Sequence, residues 1–214
     1  MSPVAVKICG ITNEEDARWA ANLGADFIGL NFCRESPRKV SVDRAAEIIR
    51  SLPAFVKAVG VFVNAPIAEI GKTLKKANVD CLQLHGDEKA EEISKLKSEF
   101  HVPVWKVVRI ENADSLLQIP PFAGIADSIL LDAFSTAQPG GTGKSFDWKI
   151  AQKAGDCGVP VFLAGGLTPE NVKEAVKLAQ PYGVDAASGV EKTGHPRKKD
   201  VEKMKNFLAN AKSK

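Results

Sequence analysis

Apolar residues in this chain gather in eight short runs, near 4–9, 26–32, 55–63, 80–85, 103–109, 128–134, 159–164 and 183–188. The runs are almost continuous in Val, Ile, Leu, Phe and Ala, the pattern of strands buried on both faces. Their starts lie roughly 22–31 residues apart, about one strand–helix unit each. Helical spacing fills the gaps. Val172, Val176 and Ala179 recur at i, i+4, i+7 beside Ala175, and Val201, Met204, Leu208 and Ala211 do the same in the last segment. Asn13 is placed to cap a helix beginning at Glu14. Thr168-Pro169-Glu170 predicts a capping hydroxyl ahead of a proline in the first helical turn. The fifth gap, 112–126, holds Pro120, Pro121 and Gly124, so its helix must be short. Eight units in the order βα predict an α/β protein, a closed (β/α)8 TIM barrel; a doubly wound open sheet usually stops at five or six strands. With no linker or low-complexity tract, residues 1–214 are expected to form one barrel domain.

Polar and glycine residues sit again and again at the downstream ends of these runs. Lys-Ile-Cys-Gly (7–10), Leu-Gln-Leu-His-Gly (82–86), Leu-Leu-Asp-Ala-Phe (130–134), Phe-Leu-Ala-Gly-Gly (162–166) and Val-Asp-Ala-Ala-Ser-Gly (184–189) all do so. In a parallel barrel every strand C-terminus opens onto one face, and that face carries the chemistry. The pattern is that of an enzyme.

Composition narrows the class. The 214 residues are 44% hydrophobic and 26% charged, enough for a sizeable core without disulfides or metals. A net charge of +3 without aromatic–basic interleaving argues against nucleic acid. The cysteines Cys9, Cys33, Cys81 and Cys157 show no CxxC spacing and the three histidines are scattered, so no metal site is expected. The cysteines read as reduced thiols, with Cys81 and Cys157 structural. The first strand begins within a few residues of Met1, leaving no room for a signal peptide, and no apolar run approaches the ~20 residues of a membrane span. A cytoplasmic protein is expected. Lys203, Lys205, Lys212 and Lys214 read as the wet face of the last helix.

Several residues could carry chemistry. Lys7 and Cys9, two apart in a strand, share one face. A neighbouring ammonium lowers a thiol pKa, so Cys9 could serve as nucleophile or general base; its alternative is a buried inert thiol. Asp132 interrupts an apolar strand, where an unpaired carboxylate is costly, so it is there for chemistry or to cap the next loop. Strand 6 lies across the mouth from strand 1, which would set Asp132 opposite Cys9. Gly165-Gly166 and Ser188-Gly189 follow strands 7 and 8, where barrels commonly bind phosphate through backbone N–H groups. Gly140-Gly141-Thr142-Gly143-Lys144 is not a Walker A motif and reads as a lid or phosphate flap. Arg38 could clamp a carboxylate or simply be solvated. His85 could meet substrate or satisfy the core, and Asp185 could hold sugar hydroxyls or be a structural acid.

Taken together these segments resemble the phosphoribosylanthranilate isomerase family of tryptophan biosynthesis. The resemblance runs through almost the whole chain. It is carried by Lys-Ile-Cys-Gly-Ile-Thr (7–12), Ser-Pro-Arg (36–38), Gly-Val-Phe-Val-Asn (60–64), Gln-Leu-His-Gly (83–86), Gly-Gly-Thr-Gly-Lys-Ser-Phe-Asp-Trp (140–148), Leu-Ala-Gly-Gly-Leu-Thr-Pro-Glu-Asn-Val (163–172) and Val-Asp-Ala-Ala-Ser-Gly-Val-Glu (184–191). Cys-Arg-Glu (33–35) and the basic segment 192–198 depart from the family pattern in loop detail only.

The resemblance implies a phosphate-binding barrel that converts an aminoaldose to an aminoketose with no cofactor and no metal, acting on a small molecule. Asp132 would be the general acid and Cys9 the general base. Arg38 would hold the anthranilate carboxylate, with Lys7, His85 and Asp185 also at the substrate and Asp185 on the ribose hydroxyls. Gly141, Gly143, Gly165, Gly166, Ser188 and Gly189 would hold the phosphate. The oligomeric state, monomer or homodimer, stays open. A ribulose-phosphate epimerase would need metal-binding histidines, and a histidine-pathway isomerase an aspartate where Cys9 stands. A non-catalytic phosphosugar-binding barrel would need neither Cys9 nor Asp132.

Overall fold

Eight parallel strands close on themselves in sequence order, β1 pairing with both β2 and β8. They are β1 (Ala5–Cys9), β2 (Phe27–Asn31), β3 (Lys57–Phe62), β4 (Cys81–Leu84), β5 (Val104–Ile110), β6 (Ser128–Ala133), β7 (Val161–Leu163) and β8 (Gly183–Ala186). The structure is a computed structural model and describes residues 4–133 and 147–213. Helices α1 (Glu14–Asn22), α2 (Val42–Arg50), α3 (Ile67–Ala77) and α4 (Ala90–Phe100) follow the first four strands. After β6, β7 and β8 come α5 (Trp148–Ala154), α6 (Val172–Ala179) and α7 (Val201–Lys212). Among the described residues no helix is long and apolar enough to cross a membrane.

All eight predicted runs are strands, most of them one or two residues shorter than the run. The fifth unit has no α-helix. Two 3-10 segments, Ala113–Gln118 and Pro120–Phe122, take its place, because Pro120 and Pro121 have no N–H to donate and break the helical ladder. The Asn13 cap forms: its side chain accepts from Asp16 N at 2.8 Å, with Glu14, Glu15 and Asp16 in the positive first turn of α1.

The cap expected at Thr168 is corrected. Residues 169–171 form a turn first and α6 begins at Val172, with Asn171 in the cap position. The Asn171 side chain fixes that turn, accepting from Thr168 N at 2.8 Å and donating to Gly166 O at 2.9 Å. The wet lysine face needs correction at one position. Lys205 and Lys212 are exposed as expected, Lys212 donating to Gly24 O and Asp26 at the surface, but Lys203 is half-buried and donates to Glu191 O. Lys214, Gly141 and Gly143, with the rest of the glycine-rich loop, lie outside the described residues.

The period of two along each strand sorts the core. Outward residues such as Val6, Ile8, Leu82, Leu84, Ile129, Leu131 and Val184 pack against the helices. Inward residues at the strand starts form a separate apolar cluster of Val59, Cys81, Trp105, Val107, Leu130, Phe162 and Ala164. Trp105 stacks on Phe162 with ring centroids 4.3 Å apart, and Phe27 meets both rings edge-on. This floor plugs the barrel, so the inward residues further along β1, β4, β6 and β8 must face the open C-terminal mouth.

Candidate active site

Two residues beyond the floor the inward positions turn polar: Lys7 on β1, Gln83 on β4 and Asp185 on β8. Lys7 and Asp185 are register partners. Their ion pair, Nζ to Oδ2, spans 3.0 Å with the lysine fully buried. Cys9, His85 and Asp132 stand at the next level. One cavity at the mouth is lined by Cys9, Arg38, Gln83, His85, Asp132 and Asp185, and its rim by Gly165, Gly166, Ser188 and Gly189. The expected residues thus converge, with the exception of Lys7, which lies beneath the cavity wall. Its ammonium is spent on Asp185 and on the Cys9 thiol.

Two glycines make this packing possible. An added Cβ on Gly29 would stand 2.6 Å from Cys9 Sγ and 3.1 Å from Lys7 Nζ, inside van der Waals contact. Gly10 adopts φ +75° in the left-handed region, and the Arg38 chain crosses the space a Cβ would fill. Arg38 is thereby brought beside Cys9, from a loop that follows a different strand.

The electrostatics are those of a buried triad. Burial pushes the Cys9 thiol up, against the pull of the Lys7 ammonium, which acts as expected but is outweighed. Burial likewise raises Asp185, opposed by Lys7. Lys7 itself is raised: burial works against its charge, but the Asp185 carboxylate and the Cys9 thiol together prevail. The resting site therefore holds a protonated thiol beside a lysine ammonium. Asp132 Oδ2 lies 3.2 Å from His85 Nε2. The alignment falls short of a hydrogen bond, so among the described residues His85 Nε2 is a buried atom without a partner, as are Gln83 Oε1 and Asp185 Oδ1.

Arg38 is neither solvated nor loose. Its Nε and Nη2 donate to the two oxygens of Glu191 at 2.6 and 2.8 Å. Glu191 also accepts from the buried Lys199 at 3.0 Å. The pairing of Arg38 with Glu191, and of Glu191 with Lys199, is not readable from the sequence: Arg38 and Glu191 lie 153 residues apart. A second network is equally hidden. Buried Glu88 accepts from Lys106 Nζ at 2.9 Å and from the backbone N–H groups of Asn64 and Gly86, tying together the loops after β3 and β4. Arg109 Nη2 donates to His85 O at 3.0 Å. A charge inside an apolar run was the available signal: Lys106 interrupts Val-Trp-Lys-Val-Val as Asp132 interrupts β6.

A closed parallel barrel with a thiol, two carboxylates and a glycine rim converging on one cavity at its C-terminal mouth defines a (β/α)8-barrel enzyme. Residues 6–210 match the family model described as N-(5′phosphoribosyl)anthranilate (PRA) isomerase. The chain belongs to that family of isomerases. It is 45% identical over 210 residues to the N-(5′-phosphoribosyl)anthranilate isomerase of Geobacter metallireducens, covering 98% of this chain and 100% of that one. The solved phosphoribosyl anthranilate isomerase of Thermotoga maritima superposes with a TM-score of 0.90 at 38% identity, over 98% of both chains. Another, solved in complex with reduced 1-(o-carboxyphenylamino)-1-deoxyribulose 5-phosphate, gives 0.87 at 37% identity, again over 98% of both.

Proposed function

We propose that this protein catalyses the Amadori rearrangement of N-(5′-phosphoribosyl)anthranilate to 1-(2-carboxyphenylamino)-1-deoxyribulose 5-phosphate, in tryptophan biosynthesis, by general acid–base catalysis. The observation that carries the reading is the shared cavity. Cys9 and Asp132 come from strands separated by β7 and β8, and both open onto the space bounded by Arg38 and the glycine rim. The substrate carries an anion at each end. The rim after β7 and β8 takes the phosphate; among the described residues, the N–H groups of Gly165, Gly166, Ser188 and Gly189 are not engaged in any loop, turn or cap hydrogen bond. Arg38 takes the ring carboxylate. With both ends fixed, the sugar lies between acid and base, which removes most of the positional cost of reaction.

Asp132 gives its proton to the ring oxygen as the C1′–O bond breaks and the nitrogen lone pair forms the Schiff base. Cys9 gives its resting proton to solvent as the cationic Schiff base forms beside it, and the thiolate then takes the C2′ proton. The C–H electron pair becomes the C1′=C2′ bond, and the C=N pair returns to nitrogen, giving the enolamine. Ketonisation returns the O2′ proton to Asp132 and passes the proton on Cys9 to C1′, and the thiolate regains its resting proton from solvent. The burial that raises Cys9 at rest is countered when the cationic Schiff base arrives beside it, because a nearby positive charge favours the thiolate. Asp185, whose Oδ1 has no partner among the described residues, accepts from a ribose hydroxyl, and His85, with Nε2 free of any described partner, meets the substrate beside Asp132. Substrate and product are isomers, so the reaction consumes neither redox equivalents nor water.

The test is turnover of freshly made phosphoribosylanthranilate, followed by loss of its anthranilate-type fluorescence, for wild type beside Cys9→Ala. Rapid loss in wild type and none in the variant supports both reaction and base. Equal rates remove Cys9 from the mechanism, and loss in neither removes the activity.

A further inference from the structure

Between β8 and α7 the chain inserts a hairpin, β9 (Glu191–Lys192) paired with β10 (His195–Lys199). Its contacts run along one side of the mouth, over the neighbouring strands β8, β1 and β2. Thr12 Oγ1 donates to Arg197 O, and Arg197 Nη1 donates to Pro37 O and Lys39 O on either side of Arg38. Lys199 N donates to Asp16. The hairpin thus joins the loops after β1 and β2 to the start of α7, with Arg38 in the middle.

Within this frame lie two buried charges, Glu191 and Lys199, and the half-buried Arg38, at 7%, 0% and 12% side-chain exposure. Glu191 is the one carboxylate within ion-pair distance of either cation among the described residues, and residues 134–146 contain no acidic residue. Two cations share one anion, so the trio keeps one net positive charge. An uncompensated buried charge is costly, and a fold that keeps one needs a partner from outside. Glu191 occupies Nε and Nη2 of Arg38, which leaves Nη1 without a partner among the described residues, and Arg38 lines the cavity.

We propose that Glu191 is the positioning residue for Arg38, and that Lys199 cancels the Glu191 charge so that the guanidinium meets the substrate's ring carboxylate with its positive charge intact. This rests on the phosphoribosylanthranilate reading of the same cavity. Without Lys199, Arg38 and Glu191 would be a closed, neutral pair with little attraction for an anion. Without Glu191, the guanidinium would lose the two contacts that fix its plane, and planar bidentate geometry is what gives arginine its carboxylate specificity.

The experiment compares binding of two ligands by calorimetry. One is reduced 1-(o-carboxyphenylamino)-1-deoxyribulose 5-phosphate; the other is its counterpart lacking the ring carboxylate. Wild type should prefer the first. Glu191→Gln should weaken that ligand about tenfold or more, the scale of one charge-assisted hydrogen bond, and leave the second within about twofold. In turnover the loss should fall on KM rather than kcat. Lys199→Met keeps the Arg38–Glu191 pair and should show the same selective loss, so it decides the matter even where Glu191→Gln does not fold. Equal weakening of both ligands in both variants, or no weakening of either, overturns the inference and leaves a purely structural staple. Wild type that turns over phosphoribosylanthranilate but binds both ligands alike overturns the inference alone. Wild type that neither turns over nor binds overturns the activity first, and this inference with it.

Discussion

The floor and the mouth of the barrel are built from the same strands, two residues apart, and obey opposite rules. On β4 the inward positions run Cys81, Gln83, His85; on β6, Leu130 is followed by Asp132. The floor is a dry aromatic plug in which Phe27, Trp105 and Phe162 meet at 4.3–5.7 Å. The mouth holds Lys7, Gln83, Asp185, Cys9, Asp132 and His85, and buried polar atoms of Gln83, His85 and Asp185 have no partner among the described residues. Each unsatisfied buried group costs on the order of 1–3 kcal/mol. Such a cost is tolerable only where the groups await something else. The floor therefore holds the barrel together, and the mouth is kept ready at the floor's expense.

The sharpest way to break this division is to exchange the consequences. Asp132→Asn keeps the volume and removes the transferable proton, so turnover should fall by about 10²–10⁴-fold, the usual worth of a positioned general acid. Its thermal midpoint should stay close to that of wild type. Phe162→Ala should do the reverse, costing about 3–5 kcal/mol of stability through the cavity it leaves. The protein that remains folded should keep its kcat. Urea unfolding and turnover measured on both variants test the pair together. A large stability loss in Asp132→Asn, or a large kcat loss in folded Phe162→Ala, would mean that floor and mouth are not separable.

Gln83 lies on the boundary. It is 2% exposed, its Oε1 has no partner among the described residues, and it lines the reaction cavity. If the mouth sacrifices stability for readiness, Gln83→Leu should gain up to about 1 kcal/mol, because replacing an orphaned polar group by an apolar one of similar shape is neutral or stabilising. The same change should lower turnover, since it removes an acceptor from the cavity wall. A variant less stable than wild type would show that Gln83 is satisfied in solution and belongs with the floor.

The two regions also differ in how far the sequence reveals them. The strands were legible as near-continuous apolar runs, but which of their residues form the floor was not, because both faces of each strand are apolar. Cys9, Asp132 and the glycine rim were legible because each breaks an apolar run at its downstream end. The long-range pairs were not: Lys7 finds Asp185 across 178 residues and Arg38 finds Glu191 across 153. Pairing of this kind is decided by barrel closure, which brings β8 beside β1. Local propensity carries no trace of it. That the fifth helical segment would be short was legible because prolines act on the chain nearest them; that both of its pieces would be 3-10 turns was not. The Thr168 cap failed because Asn171, three residues on, competes for the same backbone through its own side chain.

The smallest effect tests the coupling inside the mouth. Lys7 lies under Cys9 and draws its thiol towards the thiolate, while burial holds it above its ordinary value. Only the thiolate alkylates, so the rate of Cys9 modification by iodoacetamide rises with pH through the thiol pKa. Lys7→Met removes the cation and leaves burial in place. Asp185, then without its ammonium partner, is pushed further towards the neutral acid and adds little opposing charge. The Cys9 alkylation profile, read by peptide mass spectrometry to separate it from partly exposed Cys33 and Cys157, should move to higher pH than in wild type. The turnover profile should move in the same direction, because the same thiolate is the base. A Cys9 profile that stays in place would mean that Lys7 serves Asp185 alone. A profile that moves to lower pH would mean that Asp185, with Lys7 bound to it, had been the dominant influence on the thiol. The first result would make the buried pair a structural element of the floor that happens to reach the mouth; the second would keep the pair in the mouth and make Asp185, not Lys7, the member that sets the thiol.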